Sequence, residues 1–225
     1  MTVINASSLG EQIEQAIRDE ILSGELKPGQ RLSIDELAQK WGVSSMPVRD
    51  AVRRLEVSGF LIVAPRRGVF VSKFDQTRFK NILDIRSALE CLAIELSIAS
   101  IPETEIDEAI QIYREGEQHL EKTDDVSKLA DDDQVVHNLI IKYCNNPKLI
   151  EIMDGLQNLI NWGHKTVEAY LPDAFEKALP EHFEILEALK ARDLEAAQSA
   201  MRIHLKGTLD RTLAVWSDLS EKQVP

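Results

Sequence analysis

Apolar residues return every three or four positions along most of this chain, and strict alternation is confined to one short stretch. Leu9, Ile13, Ala16, Ile17 and Ile21 share a helical face, so the spacing predicts a helix over 9–23. Gly24 ends it, and Lys27-Pro28-Gly29 turns the chain. Ser33-Ile34-Asp35-Glu36 has the form of a capping box, with Ser33 as the cap and Glu36 reaching back. The helix it opens runs through Leu37 and Ala38 to Trp41 and stops at Gly42. A third helix starts at Ser44 or Ser45 and carries Pro47 in its first turn, where a missing N–H costs nothing; it ends at Gly59. Residues 60–64 and 69–71 then read as two strands around a turn at Pro65-Arg66-Arg67-Gly68. From about residue 77 only helical periodicity remains. Helices are expected over 77–99, 103–121, 125–144, 147–170, 176–191 and 194–217, punctuated by Pro102, Asn145-Asn146-Pro147, Leu171-Pro172 and Arg192-Asp193.

The predicted architecture is therefore mainly α. Residues 1–74 are expected to form a winged helix-turn-helix, three helices plus a β-hairpin wing, and residues 75–225 an antiparallel all-α bundle. Two short helices joined by a Gly-containing turn place the second helix in a DNA major groove. Its candidate contacts are Ser44, Ser45, Pro47, Arg49, Arg53 and Arg54; those of the wing are Arg66, Arg67 and Gly68.

Charge changes this picture only after it is divided. The 225 residues carry a net charge of −12, which taken whole disfavours nucleic acid. Residues 1–74 hold ten basic and nine acidic side chains, a net of +1, so the remainder carries −13. Within 49–73 six basic residues face two acidic ones, a local patch on an otherwise acidic chain. No apolar run is long enough for a membrane helix, and the first residues lack the basic and apolar regions of a signal peptide. Cys91 and Cys144 fall inside predicted helices and are expected to be buried thiols rather than a bridge. A cytoplasmic protein without membrane association is expected.

Histidine placement carries the candidate chemistry of the second half. Asp133 and His137 are four apart and share a face with Leu129, Val136, Ile140 and Cys144. His182 shares one with Leu186 and Leu189, and His204 one with Ala197, Met201 and Thr208. His182 and His204 lie at similar distances from the turn near 192, so antiparallel packing brings them to one height. Singly, each histidine is more simply a satisfied core residue. Three of them beside an inward aspartate form an oxygen-and-nitrogen ligand set suited to Zn²⁺, Ni²⁺ or Mn²⁺. Arg86 has two readings: an exposed i, i+4 pair with Glu90, or an inward guanidinium that forks onto an anion. Asn161 and His164, on a neighbouring predicted helix, are candidates to line the same cavity.

Both halves resemble one family. Gly24-Glu25-Leu26-Lys27-Pro28-Gly29-Gln30-Arg31-Leu32, Glu36-Leu37-Ala38, Gly42-Val43-Ser44 and the run from Pro47 to Leu55 are similar to the GntR regulators. Asp133-x3-His137, Asn146-x2-Leu149, Glu181-His182-x2-Ile185-Leu186 and Met201-x2-His204 resemble the FCD ligand domain of the FadR-type branch. The resemblance implies a metal on Asp133, His137, His182 and His204, with Arg86 facing a ligand cavity. It also implies a homodimer on a palindromic operator of double-stranded DNA. Asp35 and Ser45 depart from the family pattern, which has arginines there, so the operator is expected to differ from the family norm. The expected function is transcription regulation, as a repressor, controlled by a small carboxylate effector at the metal site. The alternatives are a metal-responsive regulator or a metal-dependent hydrolase. The hydrolase is disfavoured because the sequence has no HExxH helix and no evident general base, and it would leave the DNA-binding module unexplained.

Overall fold

A computed structural model describes residues 8–72, 76–171 and 173–222, with side chains except at 158, 163–170 and 215–222. The chain divides into two units, Met1–Asp75 and Gln76–Pro225.

In the first unit α1 (Leu9–Leu22) opens on a complete capping box. The Ser8 hydroxyl accepts from the Glu11 N–H at 3.3 Å, and the Glu11 carboxylate accepts from the Ser8 N–H at 2.8 Å. Ile13, Ile17 and Ile21 recur every fourth residue and are buried. Helix α2 (Ile34–Trp41) follows a short strand, β1 (Arg31–Leu32), and ends at Gly42 in the left-handed region. Ser33 caps α2 by accepting from the Glu36 N–H at 3.3 Å. Helix α3 (Ser45–Val57) buries Val48, Ala51, Val52 and Leu55 against α1. The wing is β2 (Leu61–Ala64) and β3 (Gly68–Val71), paired antiparallel with Ile62 opposite Phe70.

One strand is not legible in the pattern. β1 pairs with the outer edge of β3, Arg31 opposite Phe70, so the sheet has three strands in the order β1-β3-β2. Two residues are too few to alternate. Backbone bonds at their flank extend the pairing: the Gly29 N–H donates to the Val71 carbonyl and the Val71 N–H to that of Gln30, both at 2.9 Å.

The regular elements of the second unit, among its described residues, are all helices: α4 (Gln76–Ser97), α5 (Glu103–Thr123), α6 (Ser127–Asp132), α7 (Val135–Tyr143), α8 (Pro147–Tyr170), α9 (Asp173–Lys190) and α10 (Leu194–Lys222). Helix α10 packs on α9 and α4, α4 on α7 and α8, and α5 on α6 and α9. The single helix expected over 125–144 is two helices, broken at Asp133 and Gln134. The buried Tyr113 of α5 explains the break. Its hydroxyl donates to the Asp133 carbonyl at 3.4 Å and accepts from the Val136 N–H at 3.2 Å, occupying groups a continuous helix would pair internally. Helix α9 starts at Asp173 rather than at the expected 176, with Asp173 and Glu176 in a first turn that favours acids.

Candidate metal centre and nucleic-acid interface

Arg49 and Arg53 project from α3 into solvent, and Arg66 and Arg67 from the wing turn. Ser44 is the exposed N-cap of α3 and its hydroxyl makes no capping hydrogen bond. Ser45 and Pro47 are half-buried beside it. Arg54 is placed differently: its guanidinium lies 3.0 Å from Glu11 and 3.8 Å from Glu14, tying α3 to α1. The wing turn closes with the Arg67 N–H donating to the Ala64 carbonyl at 3.0 Å, and both Arg66 and Gly68 have positive φ. A Cβ at Gly68 would sit 3.0 Å from Arg31 Nε, so the side chain of Arg31 lies across the wing and adds a guanidinium there. Arg31 escapes a reading of the sequence because it precedes the helix-turn-helix and carries no periodic signal.

In the second unit α7 brings His137, α9 His182 and α10 His204 to one point, where one nitrogen from each ring lies within 4.8 Å of the others. The ring centroids are 4.4 Å apart for His182–His204, 5.1 Å for His137–His204 and 5.7 Å for His137–His182. All three are buried, as is Asp133, whose Oδ1 is 3.8 Å from His182 Nε2. The ring of His182 stacks on Tyr113 at 4.9 Å. The break between α6 and α7 thus positions Asp133 and, through Tyr113, steadies His182.

Two carboxylates orient two of the rings. Glu90 Oε2 lies 2.6 Å from His137 Nδ1, and Glu181 Oε2 lies 2.9 Å from His204 Nδ1. A carboxylate can only accept, so both Nδ1 atoms carry the proton and both Nε2 lone pairs point away from these partners. Each carboxylate is held by an arginine. Arg86 Nε donates to Glu90 Oε1 at 2.5 Å, and Arg211 forks onto Glu181 at 2.6 and 2.8 Å. Burial alone would raise the Glu90 pKa, but Arg86 and His137 outweigh it and bring it to about 2. Burial, with Arg86 nearby, lowers His137 to about 4, and burial and His204 hold His182 well below the usual histidine value. The rings of His137 and His182 are neutral at ordinary pH, as ligands must be. Among the described residues His137 Nε2 and His182 Nε2 are buried without a hydrogen-bond partner. Imidazoles with unpartnered nitrogens beside a buried carboxylate form a donor set that fits a divalent cation.

Arg86 satisfies half of each expectation. It pairs with Glu90 at i, i+4, and it is inward, 1% exposed. Its guanidinium does not stand open, because Glu90 is itself fully buried and requires a counter-ion; Nη2 also donates to Gln134 at 3.3 Å. Gln134 in turn donates to Asp133 Oδ2 at 2.9 Å, accepts from Gln157 at 3.3 Å, and Gln157 donates to Asn161 at 2.9 Å. Asn161 therefore joins the ligand cluster through a chain of amides. The side chain of His164 lies outside the described residues. Glu90, Gln134, Glu181 and Arg211 complete the site; spacing marks only the Arg86–Glu90 pair, because the contacts of Glu90 with His137, Gln134 with Arg86, and Glu181 with His204 and Arg211 cross between elements. A cavity of about 20 Å³ adjoins the cluster, lined by Asp133, Ala174, Phe175, Ala178, His204, Thr208, Arg211 and Thr212. Arg86 is not among these residues.

A winged helix-turn-helix with arginines on its recognition helix and wing, followed by a separate helical unit, defines a DNA-binding transcriptional regulator. The sequence matches the FCD domain over residues 81–207, more than half of the chain, and so belongs to the FCD-domain family; residues 9–71 match the model described as bacterial regulatory proteins, gntR family. It is 29% identical over 194 residues to the uncharacterized HTH-type transcriptional regulator YdhC of Bacillus subtilis, covering 86% of each protein. It is also 29% identical to the HTH-type transcriptional regulator McbR of Escherichia coli, over 86% of this chain and 88% of that one. The HTH-type transcriptional repressor RspR of Escherichia coli is 26% identical over 88% of this chain and 86% of its own. The solved structure of E. coli McbR/YncC superposes with a TM-score of 0.72 at 25% identity, over 94% of this chain and all of that one. These relatives and domains are transcription regulators, not enzymes. Among the described residues no helix is long and apolar enough to cross a membrane.

Proposed function

We propose that the chain is a homodimeric repressor whose affinity for a palindromic operator is set by a small carboxylate bound beside a divalent ion. Asp133, His137, His182 and His204 would hold that ion, Zn²⁺, Ni²⁺ or Mn²⁺. The convergence of three buried imidazoles, two with unpartnered Nε2 atoms, with the buried Asp133 carboxylate beside His182, carries the proposal. The ion would supply positive charge and open positions for an oxygen donor. The protein's own residues supply the rest. Glu90 and Glu181 fix the tautomers of His137 and His204, and Gln134 links Asp133 to Arg86.

The repressor assignment draws on relatives named as repressors, RspR and GlaR of Escherichia coli among them. A second copy has a surface to meet: Ile85, Leu92 and Leu96 stand 50%, 41% and 41% exposed along one stripe of α4. The test is metal analysis of untagged protein purified without chelator, followed by operator gel shifts with and without small carboxylates. One ion per chain and a carboxylate-dependent shift are expected. Metal-free protein with full stability would remove the metal from the proposal.

A metal-responsive regulator is the second reading, and one observation favours it. The cavity at the cluster has room for about one water, so in this form it would not admit an organic ligand beside an ion. Operator binding that follows metal concentration with no organic ligand would select it.

A further inference from the structure

The two carboxylates behind the histidines are held by arginines in different environments. Arg86 and Glu90 are sealed, 1% and 0% exposed; Arg211 and Glu181 are 18% and 20% exposed, and Arg211 forms part of the wall of the cavity. We propose that Arg211, rather than Arg86, reads the carboxylate of the effector, and that it does so by leaving Glu181. This rests on the proposal above that a metal and a small carboxylate share the site.

The chemistry is an exchange of like for like. Arg211 presents Nη1 and Nη2 to the two oxygens of Glu181, the fork-to-fork pairing a guanidinium makes with any carboxylate. An incoming carboxylate offers the same two acceptors. Because the Arg211–Glu181 pair is partly exposed, separating it leaves neither charge stranded in the core, as separating Arg86 from Glu90 would. Arg211 Nη2 also lies 3.4 Å from the Thr208 hydroxyl, and the Thr208 and Thr212 side chains line the same cavity. The rest of the lining is Ala174, Phe175 and Ala178 of α9, with Asp133 and His204 of the cluster. One cationic fork, two hydroxyls and an alanine-and-phenylalanine wall select a short aliphatic monocarboxylate over a polyanion. At about 20 Å³ the cavity must enlarge to admit it.

Glu181 makes the exchange consequential. Its Oε2 accepts from both Arg211 Nη2 at 2.8 Å and His204 Nδ1 at 2.9 Å. Removing Arg211 leaves the Glu181 charge to His204 alone, so effector occupancy is transmitted to a metal ligand and to the contact between α9 and α10.

The experiment titrates the metal-loaded full-length protein with acetate by calorimetry, with metal content and melting temperature measured for each variant. Arg211→Gln is expected to weaken acetate binding by at least about tenfold. Arg211→Lys, which keeps the charge without the fork, is expected to weaken it less, and Thr208→Val also to weaken it. Glu181→Gln still accepts from His204 but no longer competes as an anion for Arg211, so acetate should bind more tightly than in the unmodified protein. A chain that retains no metal overturns the underlying proposal. A metal-loaded chain that does not bind acetate overturns both this inference and the carboxylate part of the underlying proposal; one that binds acetate as tightly in Arg211→Gln as in the unmodified protein overturns this inference alone.

Discussion

Glu90 converts a buried histidine into an oriented ligand, and Arg86 makes Glu90 tolerable in the core. Arg86→Ala would strand a carboxylate that is 0% exposed. Breaking such a pair from one side costs about 3–5 kcal/mol. The expected outcome is a large loss of stability in denaturant melts together with weaker metal retention. Full metal content in a folded Arg86→Ala protein would show that Glu90 orients His137 without Arg86. On the DNA face, Arg49→Ala is expected to weaken specific operator binding by about 1–3 kcal/mol if it reads a base. Replacing Arg66 and Arg67 should instead weaken all sequences alike and reduce the salt dependence by about one unit for each phosphate they neutralise. Gel-shift titrations at two salt concentrations distinguish these effects, and an unchanged Arg49→Ala would move the recognition surface elsewhere. Arg54→Ala should act through stability, since its partners Glu11 and Glu14 are on α1. The exposed positions of Arg49, Arg66 and Arg67 and the inward facing of the histidines follow from spacing within single elements. The pairing of Arg54 with α1, Glu90 with His137 and Arg211 with Glu181 depends on which helices meet, and periodicity is silent on that.

At the scale of elements, the hydrophobic pattern foretells most helices and misses where one breaks. Leu129, Val136 and Ile140 keep helical spacing across 133–134, so nothing in the apolar pattern marks the interruption. The cause is a phenol on α5, which bonds to both sides of the gap. Tyr113→Phe keeps the ring that stacks on His182 and removes only those bonds. Leaving the buried Val136 N–H without its partner costs about 1–3 kcal/mol. The expected result is a lower melting temperature and a looser Asp133, seen as faster metal loss to a chelator. A variant equal to the parent in both measurements would mean that the break is maintained by packing alone. Strand β1 escapes the pattern for the same reason: its pairing with β3 joins residues almost forty positions apart.

For the whole molecule, the charge is divided unequally between the two units, nearly balanced in the DNA-reading one and strongly acidic in the other. The acidic unit disfavours non-productive approach to DNA while the arginine face accepts it. A winged domain alone contacts one half-site, so a two-fold dimer is expected by light scattering at micromolar concentration, both free and on DNA. A monomer under both conditions would contradict the palindrome. The proposed ligands come from α7, α9 and α10 and from the α6–α7 break, so an ion would bind the folded chain and not the unfolded one. At a hundredfold excess over its Kd it adds about 2.7 kcal/mol. Chelation should therefore lower the melting temperature, and readdition of the metal should restore it.

The third strand of the wing has a consequence for anyone wishing to re-address this regulator to another operator. A wing looks like an independent cassette that could be exchanged as a hairpin. Here its outer strand is completed by Arg31 and Leu32, which lead directly into the cap of α2, and the side chain of Arg31 lies against Gly68. A transplanted hairpin would arrive with one edge unmatched and with an arginine aimed at whatever replaces that glycine. Because α3 also packs against α1 and the Val71 backbone bonds to Gly29 and Gln30, the smallest exchangeable piece runs from α1 through the hairpin, residues 8–71.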